Sequence, residues 1–286
     1  RSSDLFDRDL FPVLSPVAVR RFRDLPRLPG LAVAVAVRLG DPVRPSRRDR
    51  FALVALPAHL PRLIAVPAAA GYAGVLLEEV VTAHLDRLFP GEPMAEHAVF
   101  RIARDADMSV REDEAGDLLA RMRDVLRERK QGACVRLQVE AGSSPLMVRL
   151  LRKALEVLPR ETYRQPAPLD LSLFATLAAM PGYAALRERP WNPVAPAAFR
   201  AGEPVFETLA RQDVLLIHPY ESFDPVVRFV EEAADDPDVL AIKQILYRTS
   251  RESPIVAALA RAAANGKTVL ALVELKARFD EARNIR

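Results

Sequence analysis

The chain of 286 residues is poor in features that mark several common classes of protein. Its one cysteine, Cys134, cannot form a disulfide within the chain, so a reducing compartment, the cytoplasm, is expected. A lone thiol in an apolar strand-like run is more often a small core residue than a nucleophile. No apolar run approaches the length of a membrane-spanning helix, since the run from Leu31 to Val37 stops at Arg38.

Glycine is scarce too, at 11 residues, and no glycine-rich phosphate loop is present. Without a Walker loop or a dinucleotide fingerprint, any nucleotide must be bound by other means. No Ser/His/Asp constellation is identifiable, and His59, His84 and His97 lack metal-ligand spacing. His218 follows a predicted strand but has no partner nearby in the sequence. It is therefore interpreted as a structural or site-edge residue rather than a proton carrier.

Charge of one sign is not in excess, because 41 basic residues face 38 acidic ones. The balance does not argue for nucleic acid as a partner, and an anion site must come from local clustering. One cluster of arginines separates two strand-like runs and comprises Arg44, Arg47, Arg48 and Arg50. We interpret it as a solvated hairpin loop, with anion binding as the less favoured alternative.

The first two hundred residues alternate between strand-like and helix-like patterns. Predicted strands cover 31–38, 50–56, 97–103 and 135–139, and predicted helices cover 76–88, 111–129 and 146–157. This order predicts an α+β domain with a mainly antiparallel sheet covered by helices on one face. Prolines then crowd residues 181–204, a composition typical of a linker. We therefore place a domain border near residue 200, between domains 1–200 and 201–286.

The second domain is predicted to be α/β with a parallel sheet. Predicted strands cover 213–218, 239–246 and 268–275. Asp224 with Pro225 and Ser253 with Pro254 are predicted to begin the two intervening helices, and Gly266 to end the second. Short connections between alternating elements favour parallel pairing with right-handed crossovers.

An arginine follows each of the last two predicted strands: Arg248 after the first and Arg278 after the second. Parallel strands joined by a helix end at the same edge of their sheet, where ligands of open α/β sheets bind. Two guanidinium groups there, with Lys276 beside them, suit phosphate because each offers a planar fork of donors. The alternative is that the arginines pair with neighbouring acids (Glu274, Asp280 or Glu281).

Several contiguous segments add a resemblance to a known family. They read His218-Pro-Tyr-Glu-Ser-Phe-Asp-Pro, Ala241-Ile-Lys-Gln-Ile-Leu-Tyr-Arg-Thr and Val273-Glu-Leu-Lys-Ala-Arg-Phe-Asp-Glu, preceded by Leu10-Phe-Pro-Val-Leu-Ser-Pro, His84-Leu-Asp-Arg-Leu-Phe-Pro-Gly and Phe100-Arg-Ile-Ala-Arg-Asp-Ala-Asp. Together they resemble polyphosphate kinase of the bacterial type 1 family. The resemblance implies a head domain followed by part of a phospholipase-D-like α/β domain.

The same resemblance implies an activity. The family enzyme transfers the terminal phosphate of ATP reversibly to polyphosphate through a phosphohistidine, with Mg²⁺. Arg248 and Arg278 match the two arginines of the family's magnesium–phosphate site, but arginine has no lone pair for a metal. Their implied role is to hold phosphate oxygens that Mg²⁺ also bridges. A homo-oligomer is also implied, and peripheral association with a membrane is allowed.

The sequence departs from the family pattern in places. Ile217 stands where the family commonly has a second histidine, and Arg20-Arg-Phe-Arg replaces a His-Pro-Phe-Pro stretch. The phosphorylated histidine is expected beyond residue 286, so no catalytic nucleophile is assigned to this chain, which by itself is expected not to turn over. The first residue is not methionine and the last are Asn284-Ile-Arg286, which suggests a fragment.

Two other functions are considered. One is a noncatalytic module that binds phosphate or polyanions through the arginine edge. The other is a phospholipase-D-like phosphodiesterase, which would need a His-x-Lys-x₄-Asp motif, and the sequence contains none.

Overall fold

The structure, a computed structural model, describes residues 6–19, 28–44, 46, 49–105, 118–129, 132–200, 202–247, 252–275 and 284. Contacts divide the chain into two compact units. The first comprises Arg1–Ser109 and Arg127–Tyr183, and the second comprises Val110–Leu126 and Ala184–Arg286. In the described ranges, no helix is both long and apolar enough to span a bilayer.

The first unit is built on a mixed sheet with helices. Its strands are β1 (Pro16–Val19), β2 (Val33–Leu39), β3 (Arg50–Ala55), β4 (Leu63–Val66), β5 (Ala73–Leu76), β6 (Met94–Arg104), β7 (Cys134–Glu140) and β8 (Thr162–Gln165). Six form one sheet in the order β1-β3-β2-β6-β7-β8, antiparallel except for the β7–β8 pair, while β4 and β5 form a separate hairpin. The mainly antiparallel sheet is confirmed. The short strands β1, β4, β5 and β8 were not predicted.

The sheet is covered on both faces, so the prediction of one covered face is wrong. Every residue of β2 is buried. Its valines pack into a core with Leu77 and Val81, and its alanines pack into a second core with Met147 and Leu151. The run Val33-Ala-Val-Ala-Val is apolar throughout, which is typical of a strand that is buried on both sides.

The predicted helices are present with corrected bounds, and two short helices, Leu173–Ala178 and Val205–Arg211, were not predicted. They are α1 (Leu77–Ala83), α2 (Leu85–Leu88), α3 (Leu118–Arg129), α4 (Pro145–Leu155), α5 (Leu173–Ala178), α6 (Val205–Arg211), α7 (Asp224–Asp235) and α8 (Pro254–Ala264). The predicted helix 76–88 is broken at His84, whose backbone leaves the helical region at φ −122° and ψ 24°. Residues 111–117 of the predicted helix 111–129 lie outside the described residues. Asp224 is the first residue of α7 rather than its cap.

The second unit contains a parallel pair of strands, β9 (Ala241–Leu246) and β10 (Thr268–Val273), joined by α8. As predicted, Ser253 caps α8, with Oγ accepting from the Val256 amide at 3.4 Å, and Gly266 follows its end at φ +83°. Helices α7 and α8 pack on one face of the pair, and Val230, Ala234, Ala258, Leu259 and Ala262 form the buried cluster.

The predicted buried strand 213–218 is wrong. This run is irregular, and Leu215 is 84% exposed. The Ile217 amide donates to the Glu221 carboxylate at 2.8 Å instead of to a neighbouring strand. An apolar run becomes a strand only where a strand edge is available to pair with it, and none of the described strands pairs here.

The proline-rich segment contains little regular structure. Between Pro181 and Pro204 the described residues form a short 3₁₀ turn, Ala184–Leu186, and one isolated bridge between Val194 and Glu221. The domain border near residue 200 stays a prediction.

Candidate functional site

The two parallel strands of the second unit end at the same edge of the sheet, here called the carboxyl edge. In their register Leu246 lies opposite Val273, so Tyr247 and Glu274 leave the sheet side by side. The Glu274 amide donates to the Leu246 carbonyl at 3.0 Å and keeps the chains together at this point. The predicted parallel pairing with a shared edge is therefore confirmed.

The Asn284 side chain bridges the carboxyl edge. Its Nδ2 donates to the Tyr247 carbonyl at 2.7 Å and to the Glu274 carbonyl at 2.8 Å. Sequence reasoning missed this residue, because only the pairing of the strands brings two carbonyls so distant in sequence within reach of one amide.

The predicted phosphate-binding residues Arg248, Lys276 and Arg278 lie outside the described residues, as do Asp280 and Glu281 of the alternative. Arg248 directly follows Tyr247, and Lys276 directly follows Leu275. The described structure thus shows the strand ends after which the segments containing these residues follow in the sequence. Their role stays a prediction.

The opposite, amino edge is closed by side-chain contacts to the backbone. Lys267 Nζ donates to the Asp236 carbonyl and, at 2.8 Å, to the Val239 carbonyl. Asn265 Nδ2 donates to the Ala234 carbonyl at 3.0 Å. These side-chain donors at the amino edge are thus engaged with backbone carbonyls.

Comparison with known proteins identifies the family. The profile described as "Polyphosphate kinase middle domain" matches residues 2–177, and "Polyphosphate kinase C-terminal domain 1" matches residues 204–286. The chain belongs to the polyphosphate kinase family. The resemblance found in the sequence motifs is thereby confirmed.

Similar proteins cover the chain almost completely. The polyphosphate kinase of Rhodopirellula baltica is 38% identical over 98% of this chain and 41% of its own length. That of Halalkalibacterium halodurans is 41% identical over 98% of this chain and 40% of its own length. The crystal structure of polyphosphate kinase from Porphyromonas gingivalis superposes with a TM-score of 0.77 at 27% identity, covering 99% of this chain and 41% of that one. The chain therefore spans about 40% of the curated relatives it matches.

His218, within one of the motifs shared with the polyphosphate kinase family, makes local contacts. Its side chain is exposed, its Nδ1 lies 3.0 Å from the Glu221 carbonyl oxygen, and its ring meets the Phe223 ring edge-on at 5.2 Å. These contacts belong to the turn before α7, in agreement with a structural interpretation.

The arginine-rich loop between β2 and β3 is held from below by the buried Arg38. Its Nη1 donates to Asp49 Oδ2 at 2.7 Å and its Nε to Glu96 Oε1 at 2.8 Å. Burial opposes ionisation of Asp49, but the Ser46 amide and the Arg38 guanidinium outweigh it and lower the carboxyl pKa. Gly40 leaves room for this pair, since a Cβ there would lie 2.8 Å from Asp49 Cγ.

Of the four predicted loop arginines, two are described. Arg44 is exposed, and Arg50 forms an exposed ion pair with Glu92. Arg47 and Arg48 lie outside the described residues. The described members fit a solvated loop.

A second charge network, half-buried except for the buried Glu78, was missed by sequence reasoning. Arg62 Nη2 donates to Glu78 Oε2 at 2.6 Å, and Arg101 Nη2 lies 3.5 Å from Asp170 Oδ1. Burial raises the pKa of Glu78 and Asp170 repels its charge, while the Arg62 charge opposes both. Glu78 lies at an apolar-flanked helix start, and nothing in its local sequence indicates that Arg62, sixteen residues earlier, becomes its partner.

Among the described residues, neither the lone thiol nor the acidic side chains form a second site. Cys134 begins β7 half-buried, and burial raises the pKa of its thiol, which keeps it protonated. In the part of the chain that the structure describes, no group of three or more His, Cys, Asp or Glu side chains is placed to hold a metal ion.

Proposed function

We propose that the protein to which this chain belongs is an ATP:polyphosphate phosphotransferase. The observation that carries the proposal is the carboxyl edge, where β9 and β10 end side by side directly before the segments containing Arg248 and Arg278. The curated relatives that match 98% of this chain are named polyphosphate kinases, and these names support the same reaction.

In this proposal Arg248, Arg278 and Lys276 bind the phosphates that are transferred. Guanidinium forks hold phosphate oxygens in a fixed orientation and stabilise the charge that develops during transfer. Mg²⁺ would be held through the phosphates that Arg248, Arg278 and Lys276 bind, and it would neutralise part of their charge. We assign no nucleophile to residues 1–286, because the resemblance places the phosphorylated histidine beyond them and His218 belongs to a turn.

The proposal includes a finer description of the protein. Residues 1–200 would form the family's head domain, and residues 201–286 the start of its first phospholipase-D-like domain. We further propose that the protein is a cytoplasmic homo-oligomer. Its partners would be ATP and polyphosphate but not nucleic acid, and the proposal allows peripheral contact with a membrane.

The full-length protein, incubated with terminally labelled ATP and Mg²⁺, tests the reaction. We expect an acid-labile phosphoprotein and a labelled polymer that a polyphosphate-specific phosphatase degrades. A protein that binds polyphosphate but forms neither product would instead be the noncatalytic polyanion-binding module considered above. A protein that neither binds nor reacts would exclude both functions.

A further inference from the structure

We propose that Asn284 is a positioning residue that joins the ends of β9 and β10, from which the segments containing Arg248 and Arg278 continue. The inference rests on the proposed function of Arg248 and Arg278, and it adds a residue that touches no substrate. Its test is chosen so that it can fail while the phosphotransferase assignment stands.

The contacts of Asn284 are specific to the carboxyl edge. A carboxamide nitrogen has two N–H donors, and here one points to each strand, at 2.7 Å to the Tyr247 oxygen and 2.8 Å to the Glu274 oxygen. Both distances are in the normal range for N–H···O bonds. The two acceptors belong to the first residue after each strand. Asn284 therefore acts on the points from which the arginine-bearing segments start.

The Asn284 bridge lies where the interstrand hydrogen bonds of the described parallel pair end. The last interstrand bond among the described residues joins the Glu274 amide to the Leu246 carbonyl. Beyond it, the Asn284 amide joins the Tyr247 carbonyl to the Glu274 carbonyl. Two phosphate-binding groups on separate chains must keep a fixed spacing, since a shift of about 1 Å can reduce a rate by about 100-fold.

The opposite edge of the same sheet supplies a matched control. Asn265 Nδ2 donates to the Ala234 carbonyl at 3.0 Å, so it also caps a backbone carbonyl with a side-chain amide. It follows α8 and precedes β10, at the end of the sheet away from the proposed site. Removing either amide costs hydrogen bonding to the backbone, but only Asn284 touches the carboxyl edge.

The experiment compares Asn284→Ala, Asn284→Asp and Asn265→Ala in the full-length protein. Binding of inorganic tripolyphosphate is measured by calorimetry, and kcat and KM for ATP are measured by polymer formation. We expect Asn284→Ala to weaken tripolyphosphate binding and to lower kcat by about tenfold or more. Asn284→Asp keeps the size but places an oxygen against two carbonyl oxygens, and it should be at least as harmful. Asn265→Ala should leave both quantities near wild type.

A double-mutant cycle distinguishes positioning from general stability. If Asn284 acts through Arg248, then Asn284→Ala should have little further effect in an Arg248→Ala background, whereas Asn265→Ala should be additive there. Wild-type binding and kcat in both Asn284 variants, with Arg248→Ala impaired, would overturn the inference and leave the phosphotransferase intact. Equal losses from Asn284→Ala and Asn265→Ala would also overturn it. Absence of tripolyphosphate binding and of polymer in the wild type would overturn both proposals.

Discussion

Arg38, in β2, forms an ion pair with Asp49, which directly precedes β3, and the distance from Arg38 Nη1 to Asp49 Oδ2 is 2.7 Å. The pair joins the two ends of the β2–β3 loop. The two side chains are 4% and 6% exposed, and the same guanidinium reaches Glu96, 58 residues away. One arginine thus neutralises two carboxylates, and through them it ties the arginine-rich loop to β6. A buried ion pair therefore anchors the loop.

The Arg38→Met substitution is expected to destabilise the chain by roughly 3–5 kcal/mol, because it removes the charged partner of the buried Asp49 and the partly buried Glu96. Urea unfolding followed by circular dichroism measures the loss. Arg50→Met is the matched control, since its pair with Glu92 is 63% exposed on the arginine side and is expected to contribute about 0–1 kcal/mol. Equal effects of the two substitutions would show that the Arg38 pair is no stronger than a surface pair.

The Arg248→Ala and Arg278→Ala substitutions are each expected to lower kcat of the full-length protein by about 10²–10³-fold, by analogy with the loss of one preorganised donor. Lysine at either position should restore only part of the rate, because it replaces a planar fork with a point charge. Polymer formation from labelled ATP measures the effect. Arg44→Ala tests the loop alternative: the exposed Arg44 should be dispensable, and a comparable loss there would assign anion binding to the loop as well.

Much of the fold can be predicted from local signals. Ser253 with Pro254 starts α8 and Gly266 follows its end, and the apolar runs before Tyr247 and Glu274 form the predicted parallel pair. The run of valines and alanines in β2 indicates two covered faces. An uninterrupted apolar run, rather than alternation of apolar and polar residues, is typical of a strand that is buried on both sides. The misreading of 213–218 has a different origin, since apolar content cannot say whether a strand partner is present.

The candidate site divides in the same way. The shared edge at which β9 and β10 end follows from strand order and helix length alone, which are local properties. Asn284, Arg38 with Glu96, and Arg62 with Glu78 depend on pairings between distant segments, and no pattern around these residues indicates the partner. Sequence reasoning therefore finds the elements that carry a site more readily than the side chains that hold it in shape.

Removing the cap of α8 is expected to cost about 0.5–2 kcal/mol, the usual range for replacing a capping serine with alanine. The Ser253 Oγ accepts from the Val256 amide at 3.4 Å, a long bond, whereas Ser144 caps α4 at 3.0 Å. Ser253→Ala should therefore fall in the lower part of that range and Ser144→Ala in the upper part. Urea midpoints of the two variants provide the comparison, and a larger loss at Ser253 would contradict the ranking by distance.

Glu78 and Asp170, the two carboxylates of the network that includes Arg62 and Arg101, are expected to change the free energy of unfolding with pH in opposite directions. Burial raises the pKa of Glu78 above its ordinary value of 4.5, so the folded chain holds this proton more tightly than the unfolded chain. Its contribution is greatest below pH 4.5 and is lost as pH rises through the folded pKa. Glu78→Gln removes this titration. The free energy of unfolding of the variant should therefore rise relative to that of the wild type as the pH is raised toward neutrality.

Asp170 has the opposite sign and serves as the comparison. Burial opposes its ionisation, but the Ser172 amide and hydroxyl together with the Arg101 and Arg62 charges outweigh it and lower its pKa below 3.8. The stability that this carboxylate adds is present above pH 3.8 and is lost as the pH falls through the folded pKa. The free energy of unfolding of Asp170→Asn should therefore fall relative to that of the wild type as the pH rises from strongly acid conditions to about 4. Urea unfolding of both variants over a series of pH values measures the two slopes, and slopes of the same sign would show that burial does not control Glu78.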